Sequence, residues 1–343
     1  MAPTPIRVLI VDDSAFARKV VRESLEGDPA FEVVGIARDG LEALEQIAQL
    51  RPDVVTLDLV MPSLDGLGVL RTLPLGGGAP RVVVVSIADE ESALGIAALQ
   101  AGATEIVHKP TAQASGTLYE LAGELRAKVK VAARARAGAR LPLVVAPAPA
   151  LVRASSRRRI LLIGTSTGGP QAITRILRAL PATFPVPIAV VVHMPPGYTA
   201  TFASRLDEEC ALRVVEASEG LLLHPGMVVI GRAGLHLTIE ATPTALRAHL
   251  DAHPVHLPHC PSVDVLFESC RGLGAGALAA VLTGMGDDGL AGARCIVEAG
   301  GTILTESAES CVVFGMPRVV REAGLSTAEA SLEGMAALIG QHL

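Results

Sequence analysis

The sequence contains very few aromatic residues, with no Trp, 2 Tyr and 6 Phe among its 343 residues. Half of the residues are nevertheless hydrophobic and only 19% are charged, which excludes an intrinsically disordered chain. The hydrophobic cores must therefore be built from Val, Leu, Ile and Ala. A chain of this length is long enough for two domains with cores of ordinary size.

Long apolar runs and targeting signals are also missing. No apolar stretch reaches the roughly 18 residues that suggest a transmembrane helix, so we expect no membrane insertion. The N-terminus leads into the apolar segment Ile6–Val11 without the layout of a signal peptide. We therefore expect a cytoplasmic location.

The cysteines do not form a recognisable pairing pattern. All five lie in the second half of the chain and none belongs to a Cys-x-x-Cys pair; they are Cys210, Cys260, Cys270, Cys295 and Cys311. An odd number without paired spacing indicates reduced, mostly buried thiols.

Acidic residues are absent from one long segment. Leu125–Arg159 contains 10 basic residues and no acidic one, whereas the rest of the chain has 19 basic and 35 acidic residues, a net charge of −16. A basic segment can indicate a nucleic-acid partner. The acidic remainder argues against one, so we expect no nucleic acid.

Residues 1–125 alternate between short apolar runs and helical patterns. Helices are predicted over 14–27, 41–47, 91–101 and 118–131, the first of them capped by Ser14 and ended by Gly27. Parallel strands need such helical crossovers, so the pattern predicts a doubly wound, flavodoxin-like α/β domain. The five predicted strands are Val8–Val11, Val33–Ala37, Val54–Leu57, Val82–Val85 and Glu105–Val107.

Polar residues follow the ends of four of these strands. Asp12 and Asp13 follow the first, Asp58 the third and Lys109 the fifth, while Ser86 ends the fourth. The carboxyl ends of parallel strands meet where doubly wound folds bind ligands. Three clustered carboxylates favour a hard cation such as Mg²⁺, and the set suits phosphoryl transfer to Asp58. The alternative is that these acids are ordinary loop caps.

The second half of the chain resumes the alternation after a change of composition. We interpret 126–157, rich in Ala, Arg and Pro, as a linker and 158–343 as a second domain. Its pattern predicts a Rossmann-like doubly wound parallel sheet. Strands are predicted over Ile160–Ile163, Ile188–Val192, Met227–Ile230, Leu235–Ile239 and Leu278–Leu282, and further helices over Ser262–Arg271 and Asp288–Glu298.

A serine-containing turn follows the first strand of this second domain. The run Gly-Thr-Ser-Thr-Gly at 164–168 matches G-x-S-x-G between a strand and a helix, the setting of a nucleophile elbow. The alternative is a phosphate-binding glycine turn, but the Lys of a P-loop and the spacing of a dinucleotide fingerprint are missing. A serine needs a base and an orienting carboxylate. His193, one of nine histidines, and Asp288 both stand near strand ends and are the candidates. The alternatives are that His193 is an ordinary core histidine and that Asp288 only caps a helix.

The first domain contains Val-Asp-Asp-Ser at 11–14, Leu-Asp-x-x-Met-Pro-x-x-Asp-Gly at 57–66, Ser86 and Lys109-Pro110. This set resembles the motifs of bacterial response-regulator receivers. The resemblance implies that Asp58 is phosphorylated, with a histidine kinase as the phosphodonor. It further implies Mg²⁺ ligation by Asp12, Asp13 and Asp58, with Ser86 and Lys109 as switch residues.

Five further runs stand out in the second domain: Gly-Thr-Ser-Thr-Gly-Gly at 164–169, His-Met-Pro-Pro-Gly at 193–197, Pro-Ser-Val-Asp-Val-Leu-Phe at 261–267, Thr-Gly-Met-Gly-Asp-Asp-Gly at 283–289 and Ser-Cys-Val-Val-Phe-Gly-Met-Pro at 310–317. Together they resemble the motifs of chemotaxis protein-glutamate methylesterases. The resemblance implies a serine hydrolase with Ser166 as nucleophile, His193 as base and Asp288 as orienting carboxylate, and no cofactor for ester hydrolysis. Its substrates would be methyl-accepting chemoreceptors, whose glutamate esters are hydrolysed and glutamines deamidated once receiver phosphorylation relieves inhibition. We expect backbone N–H groups, including that of Met285, to stabilise the oxyanion.

Two positions depart from the family pattern. Asp287 stands where the family usually has Asn, and Cys260 stands where a basic residue is common. The first leaves open which of two adjacent acids faces His193, and the second concerns a contact with the acidic receptor.

Two alternative interpretations use other features of the chain. A receiver with a DNA-binding output is supported only by the basic linker, and a helix-turn-helix pattern is missing. The cluster at 249–260, with four His and Cys260, has spacing that would suit zinc on a helix. Pro254 and Pro258 interrupt any helix there, so we expect a loop that borders the active site.

Overall fold

The structure, a computed structural model, describes residues 4–74, 78–86, 92–109, 117–135, 158–253 and 257–343. The chain divides into two compact units, Met1–Arg140 and Leu141–Leu343. This division falls within the segment that we interpret as the linker. Pro110, Glu91, His256 and most of that predicted linker lie outside the described residues.

The first unit contains one parallel sheet with the strand order β2-β1-β3-β4-β5. This order confirms the predicted flavodoxin-like, doubly wound fold. The carboxyl ends of β1, β3, β4 and β5 lie side by side, which places the polar residues that follow them at one edge. The strands are β1 (Ile6–Val11), β2 (Phe31–Ala37), β3 (Val54–Leu57), β4 (Arg81–Ser86) and β5 (Glu105–His108).

Five helices lie among the described residues of this unit. Ser14 caps the first, since its side chain accepts a hydrogen bond from the Ala17 N–H. The last helix ends at Arg134 and so extends past residue 125, where we placed the domain boundary. The helices are α1 (Ala15–Glu26), α2 (Gly40–Leu50), α3 (Gly66–Thr72), α4 (Ser92–Gln100) and α5 (Thr117–Arg134).

The second unit contains a sheet of seven parallel strands, in the order β14-β13-β12-β6-β7-β9-β8. The central strands β12, β6 and β7 are fully buried, as expected for a sheet covered by helices on both faces. The predicted doubly wound class is confirmed. The strands of this unit are β6 (Ile160–Thr165), β7 (Ile188–Val192), β8 (Arg213–Glu216), β9 (Met227–Ile230), β10 (His236–Ala241), β11 (Leu246–Asp251), β12 (Ala277–Val281), β13 (Thr302–Glu306) and β14 (Ala328–Ala330).

One predicted strand lies outside that sheet. The segment predicted over Leu235–Ile239 is β10, which pairs antiparallel with β11 in a separate two-stranded sheet. A hairpin strand has the same apolar content as a strand of the main sheet, so the sequence pattern did not distinguish them. Four strands of this unit, β8, β11, β13 and β14, were not predicted. The edge strands β8 and β14 are short and partly exposed, so their apolar pattern is weak.

The helices of the second unit flank the parallel sheet. Two of them, α8 and α9, begin at the carboxyl edge of the sheet and pack against each other. A 3-10 helix, Arg271–Gly276, follows α8. The α-helices are α6 (Gly169–Ala179), α7 (Thr199–Glu209), α8 (Val263–Ser269), α9 (Leu290–Glu298), α10 (Met316–Glu322) and α11 (Leu332–Gln341).

Both cores consist mainly of aliphatic residues, as the scarcity of aromatics requires. Burying each such side chain stabilises the fold by roughly 1.5–3 kcal/mol. The few buried aromatics of the second unit are Phe184, Tyr198, Phe202 and Phe267. All five cysteines are free thiols. Within the described residues, none of the helices is both long and apolar enough to cross a membrane.

Candidate functional site

The structure brings the polar residues of the first unit together at the edge of its sheet. Lys109 Nζ lies 2.6 Å from Asp58 Oδ2 and 3.0 Å from Asp12 Oδ2. Burial raises the pKa of Asp58 to about 6, although the neighbouring Lys109 ammonium acts in the opposite direction. The ammonium thus neutralises part of the charge in a buried acidic pocket.

Asp12, Asp13 and Asp58 have the geometry of a cation site. One ligand oxygen from each lies within 4.8 Å of the other two, the only such group of potential metal ligands found in the described part of the chain. Arg18 holds the loop by donating to the backbone carbonyls of Asp12 and Asp13, each at 2.8 Å. Carboxylate oxygens are hard ligands, so this group of three suits Mg²⁺ better than a soft metal.

The two predicted switch residues are joined through the backbone. Ser86 ends β4 and is fully buried, and its carbonyl accepts a hydrogen bond of 2.8 Å from the Lys109 N–H. A displacement of the backbone at either residue would therefore move the backbone of the other.

The serine turn of the second unit joins β6 to α6. Gly168 has a φ of +79°, a left-handed conformation that glycine adopts without strain, and α6 begins with Gly169 and Pro170. The Ser166 N–H donates to the Thr283 carbonyl at 3.1 Å. This bond ties the turn to the segment that follows β12.

The three hydroxyl groups of the turn differ in their surroundings. Thr165 is fully buried, and its Oγ1 donates to the Thr283 carbonyl at 2.6 Å. Thr167 is also buried, whereas Ser166 is partly exposed. The serine is therefore the most accessible of the three.

His193 follows β7 and forms a hydrogen-bonded pair with Asp288. His193 Nε2 donates to Asp288 Oδ2 at 2.8 Å, and the His193 N–H donates to the Thr165 carbonyl at 3.2 Å. The second bond places the histidine beside the residue that precedes Ser166. Nδ1 of His193 is buried and has no hydrogen-bond partner among the described residues. With Nε2 protonated toward a carboxylate, Nδ1 is the ring nitrogen that can act as a base.

Asp288 is held by four hydrogen bonds. Oδ2 accepts from His193 and from the Val263 N–H, and Oδ1 accepts from Ser262 Oγ and the Asp264 N–H, at 2.8–2.9 Å. Burial raises the pKa of Asp288, but these donors outweigh it and lower the pKa to about 2. Asp287, the neighbouring acid, is exposed. The structure thus places Asp288, not Asp287, against the histidine.

Helices α8 and α9 exchange caps at this point. Asp288, which precedes α9, accepts from the first turn of α8, and Asp264 in α8 accepts from the N–H groups of Gly289 and Gly292 at 2.9 and 2.7 Å. Backbone N–H groups at a helix start lack partners within the helix, so each carboxylate satisfies donors of the other helix. This exchange fixes the position of Asp288 relative to the sheet.

The loop after β12 passes close to the nucleophile turn. A Cβ atom on Gly284 would lie 2.9 Å from Ser166 Cβ, so only glycine permits this approach. Met285, the predicted oxyanion residue, follows Gly284 directly and is 46% exposed. Its backbone N–H is therefore next to the point where Gly284 approaches Ser166.

A buried glutamate, not singled out from the sequence, supports this loop from behind. Glu306 ends β13, and its carboxylate accepts from the Thr283 N–H at 2.8 Å and from Ser310 Oγ at 2.9 Å. Burial raises its pKa. The sequence signal for this contact was the run at 310–317, which begins with Ser310 and for which the sequence alone indicated no role.

The histidines of the 249–260 cluster that the structure describes, His249, His253 and His259, are not arranged on a helix. His249 lies in β11, between Glu219 and Glu240, and exposed His253 contacts Asp251. His259 instead stacks on His193, with ring centroids 3.9 Å apart and planes 19° apart. The helical zinc arrangement is therefore wrong, and one member of the cluster lies in the candidate active site.

The chain matches two family models: CheB methylesterase over residues 161–339 and response regulator receiver domain over residues 8–118. A relative from Myxococcus xanthus strain DK1622, named protein-glutamate methylesterase/protein-glutamine glutaminase 5, is 59% identical, with 99% of each chain covered. A protein-glutamate methylesterase/protein-glutamine glutaminase from Geobacillus kaustophilus is 42% identical over 98% of each chain.

A solved structure resembles the second unit. The crystal structure of the Thermotoga maritima CheB methylesterase catalytic domain aligns with a TM-score of 0.53 and 37% identity, covering 54% of this chain and 99% of that one. Similarity over the full length, together with both family models, shows that this chain belongs to the CheB family of protein-glutamate methylesterases with an N-terminal receiver domain.

Proposed function

We propose that this enzyme hydrolyses glutamate methyl esters, and deamidates glutamines, on methyl-accepting chemoreceptors under the control of receiver phosphorylation. The observation that carries the proposal is the His193–Asp288 pair beside the serine turn, at the carboxyl edge of the parallel sheet. The relatives that match over the full chain carry both activities in their names. The cytoplasm is the proposed location.

Each residue of the triad has one proposed role in the ester reaction. Ser166 Oγ attacks the ester carbonyl carbon while His193 Nδ1 takes the serine proton. The tetrahedral intermediate collapses with release of methanol, which receives the proton back from Nδ1. Water, deprotonated by the same nitrogen, then attacks the acyl-serine; as the bond to Ser166 Oγ breaks, Nδ1 returns the proton to that oxygen and a free glutamate is left. In the deamidation the leaving group is ammonia.

Charge develops at two places during this reaction. Asp288, ionised throughout the working pH range because its pKa is about 2, stabilises the imidazolium that forms when His193 is protonated. The backbone N–H of Met285 is the proposed donor to the oxyanion, together with the positive end of α6. The approach of Gly284 to Ser166 supports this placement.

The receiver supplies the regulatory input. Asp58 is the proposed phospho-acceptor, with a histidine kinase as donor, and Asp12, Asp13 and Asp58 are the proposed Mg²⁺ ligands. A bound Mg²⁺ would neutralise negative charge on the phosphoryl oxygens. Lys109 is close enough to respond to a phosphoryl group on Asp58, because it already contacts that carboxylate. Ser86, the other proposed switch residue, is linked to Lys109 by a backbone hydrogen bond.

Removing the receiver should raise basal hydrolase activity. A covalent linker keeps the receiver near the hydrolase, and for short flexible linkers the effective concentration is roughly millimolar. Even weak inhibition by the receiver would therefore persist before phosphorylation. A fragment of residues 158–343 should release methanol from methylated receptor membranes faster than the unphosphorylated full chain, and it should not respond to a phosphodonor. Asp58→Asn in the full chain should lose the phosphodonor response. Equal basal rates for fragment and full chain would contradict inhibition by the receiver.

Chelation of divalent cations should separate regulation from hydrolysis. With EDTA present, labelling of Asp58 by acetyl phosphate should fall to background, because phosphoryl transfer among three carboxylates requires charge neutralisation. Basal methanol release should stay within about twofold, since the proposed triad needs no metal. Added Mg²⁺ should restore labelling. A parallel loss of basal hydrolysis would show that a metal takes part in the ester reaction.

A further inference from the structure

His259 forms an aromatic stack with the proposed general base. The two imidazole rings are nearly parallel, at 19°, with centroids 3.9 Å apart. The edge of the His193 ring is fixed by Asp288 through Nε2. A single hydrogen bond at one edge still allows the ring to rotate about that bond, whereas contact on its face restricts this rotation.

The segment that carries His259 is anchored to the same elements as the triad. Directly after it, the Cys260 carbonyl accepts from the Gly234 N–H at 3.0 Å, and the Ser262 N–H donates to Nδ1 of buried His236 at 3.1 Å. Ser262 Oγ also donates to Asp288. The stacking ring and the orienting carboxylate are therefore held by one short stretch of backbone.

The same residue borders open space. His259 and Asp288 both line a cavity of about 380 Å³, together with Leu257 and Asp287. The side chains of His193 and Asp288 are nevertheless only 9% exposed each. Loss of the His259 ring would enlarge the cavity beside this pair and admit water, which weakens the electrostatic stabilisation of an imidazolium.

We propose that His259 is a positioning residue of the hydrolase: its ring holds the plane of the His193 imidazole and keeps water away from the His193–Asp288 pair. This inference rests on the proposed function. It requires an aromatic ring at position 259 but no proton transfer by it, which distinguishes it from a second catalytic base.

The test compares three full-length variants in the presence of a phosphodonor, with methanol release from methylated receptor membranes as the readout. His259→Ala should lower kcat about 10- to 100-fold with KM within about twofold, since misplacement of a catalytic group costs up to about 10²-fold. His259→Phe, which keeps a ring, should recover activity to within about threefold of wild type. His253→Ala is the matched control and should behave as wild type, because this exposed histidine contacts Asp251 and not the triad.

Each contrary result overturns the inference. Wild-type kcat in His259→Ala would show that the stack is dispensable, and a rise in KM alone would assign His259 to substrate binding. Failure of His259→Phe to recover activity in a folded protein would show that the imidazole nitrogens are required. Proton NMR of the wild type tests the stack without relying on a folded Ala variant: the His193 ring protons should lie upfield of their usual range. Absence of methanol release from the wild type would instead contradict the proposed function itself.

Discussion

Ser166→Ala should abolish methanol release, with a loss of roughly 10⁶-fold in kcat, the effect that removal of the nucleophile has in a serine hydrolase. No other hydroxyl of the turn can replace it at a comparable rate. Thr165 is buried and donates to the Thr283 carbonyl, and Thr167 is buried as well. Binding of the receptor should be unchanged, because the substitution removes a single oxygen atom.

The matched control for this variant is Thr165→Val, which removes the neighbouring hydroxyl. It should reduce kcat by no more than about tenfold, the scale of one lost hydrogen bond. Both variants should still be phosphorylated on Asp58 by acetyl phosphate, because that residue belongs to the other compact unit. Methanol release near the wild-type rate in Ser166→Ala would transfer the nucleophilic role to another residue. A loss of phosphorylation would indicate a folding defect instead of a chemical one.

The fold of the first unit was predictable because local pattern and topology agree there. Each buried strand is a short apolar run, and each crossover has a helical repeat, so the parallel order follows from general rules. The acidic pocket was predictable for the same reason. Asp12, Asp58 and Lys109 follow β1, β3 and β5, whose carboxyl ends lie at the same edge of the sheet. The Lys109 ammonium lies within 3.0 Å of both carboxylates there.

The second unit was less predictable because several of its elements depend on distant partners. The β10–β11 hairpin is separate from the main sheet although β10 follows β9 closely. Strand β14 has only three residues and pairs at the edge, where no strong apolar pattern is needed. Such elements form through tertiary contacts that a local window of sequence does not contain.

The surroundings of the triad were only partly visible in the sequence, which predicted that the segment at 249–260 borders the active site but not which residues make contact. Ser166, His193 and Asp288 each stand at a strand end or a helix start, which is a local signal. Ser262, in contrast, reaches Asp288 from 26 residues earlier in the chain, and His259 reaches His193 across the site. A capping serine before an apolar helix predicts a helix start, but it does not predict which carboxylate lies opposite it.

Asp288→Asn should lower turnover about 10⁴-fold, the cost of replacing the orienting carboxylate of a triad by an amide. Each of the four hydrogen bonds to Asp288 described above comes from a donor. His193 Nε2 and the Val263 N–H donate to Oδ2, and Ser262 Oγ and the Asp264 N–H donate to Oδ1. An asparagine has only one oxygen, so its NH₂ group must face one of these pairs. If the NH₂ faces His193, the imidazole takes the other tautomer and Nδ1 loses its basic lone pair.

The opposite orientation of the amide also lowers activity. The NH₂ group would then face Ser262, which can turn its hydroxyl to accept, and the Asp264 N–H, which cannot accept and is left without its partner. His193 would keep an acceptor, but the negative charge that stabilises the imidazolium would be lost in either orientation. The variant should therefore show a large fall in kcat and a smaller fall in stability, the latter from one unsatisfied N–H at the start of α8, costing about 1–3 kcal/mol.

Asp287→Asn is the matched control, since it makes the same chemical change one residue earlier. Its side chain is exposed, and the contacts that hold the loop come from its backbone carbonyl, which accepts from the Leu290 N–H at 2.9 Å. Methanol release should stay within about threefold of wild type, because an exposed charge near the site is screened by solvent. Thermal unfolding of both variants would separate loss of chemistry from loss of structure. If Asp287→Asn were the slower of the two enzymes, the orienting role would belong to the exposed acid. The four hydrogen bonds to Asp288 would then only cap a helix, without a part in the reaction.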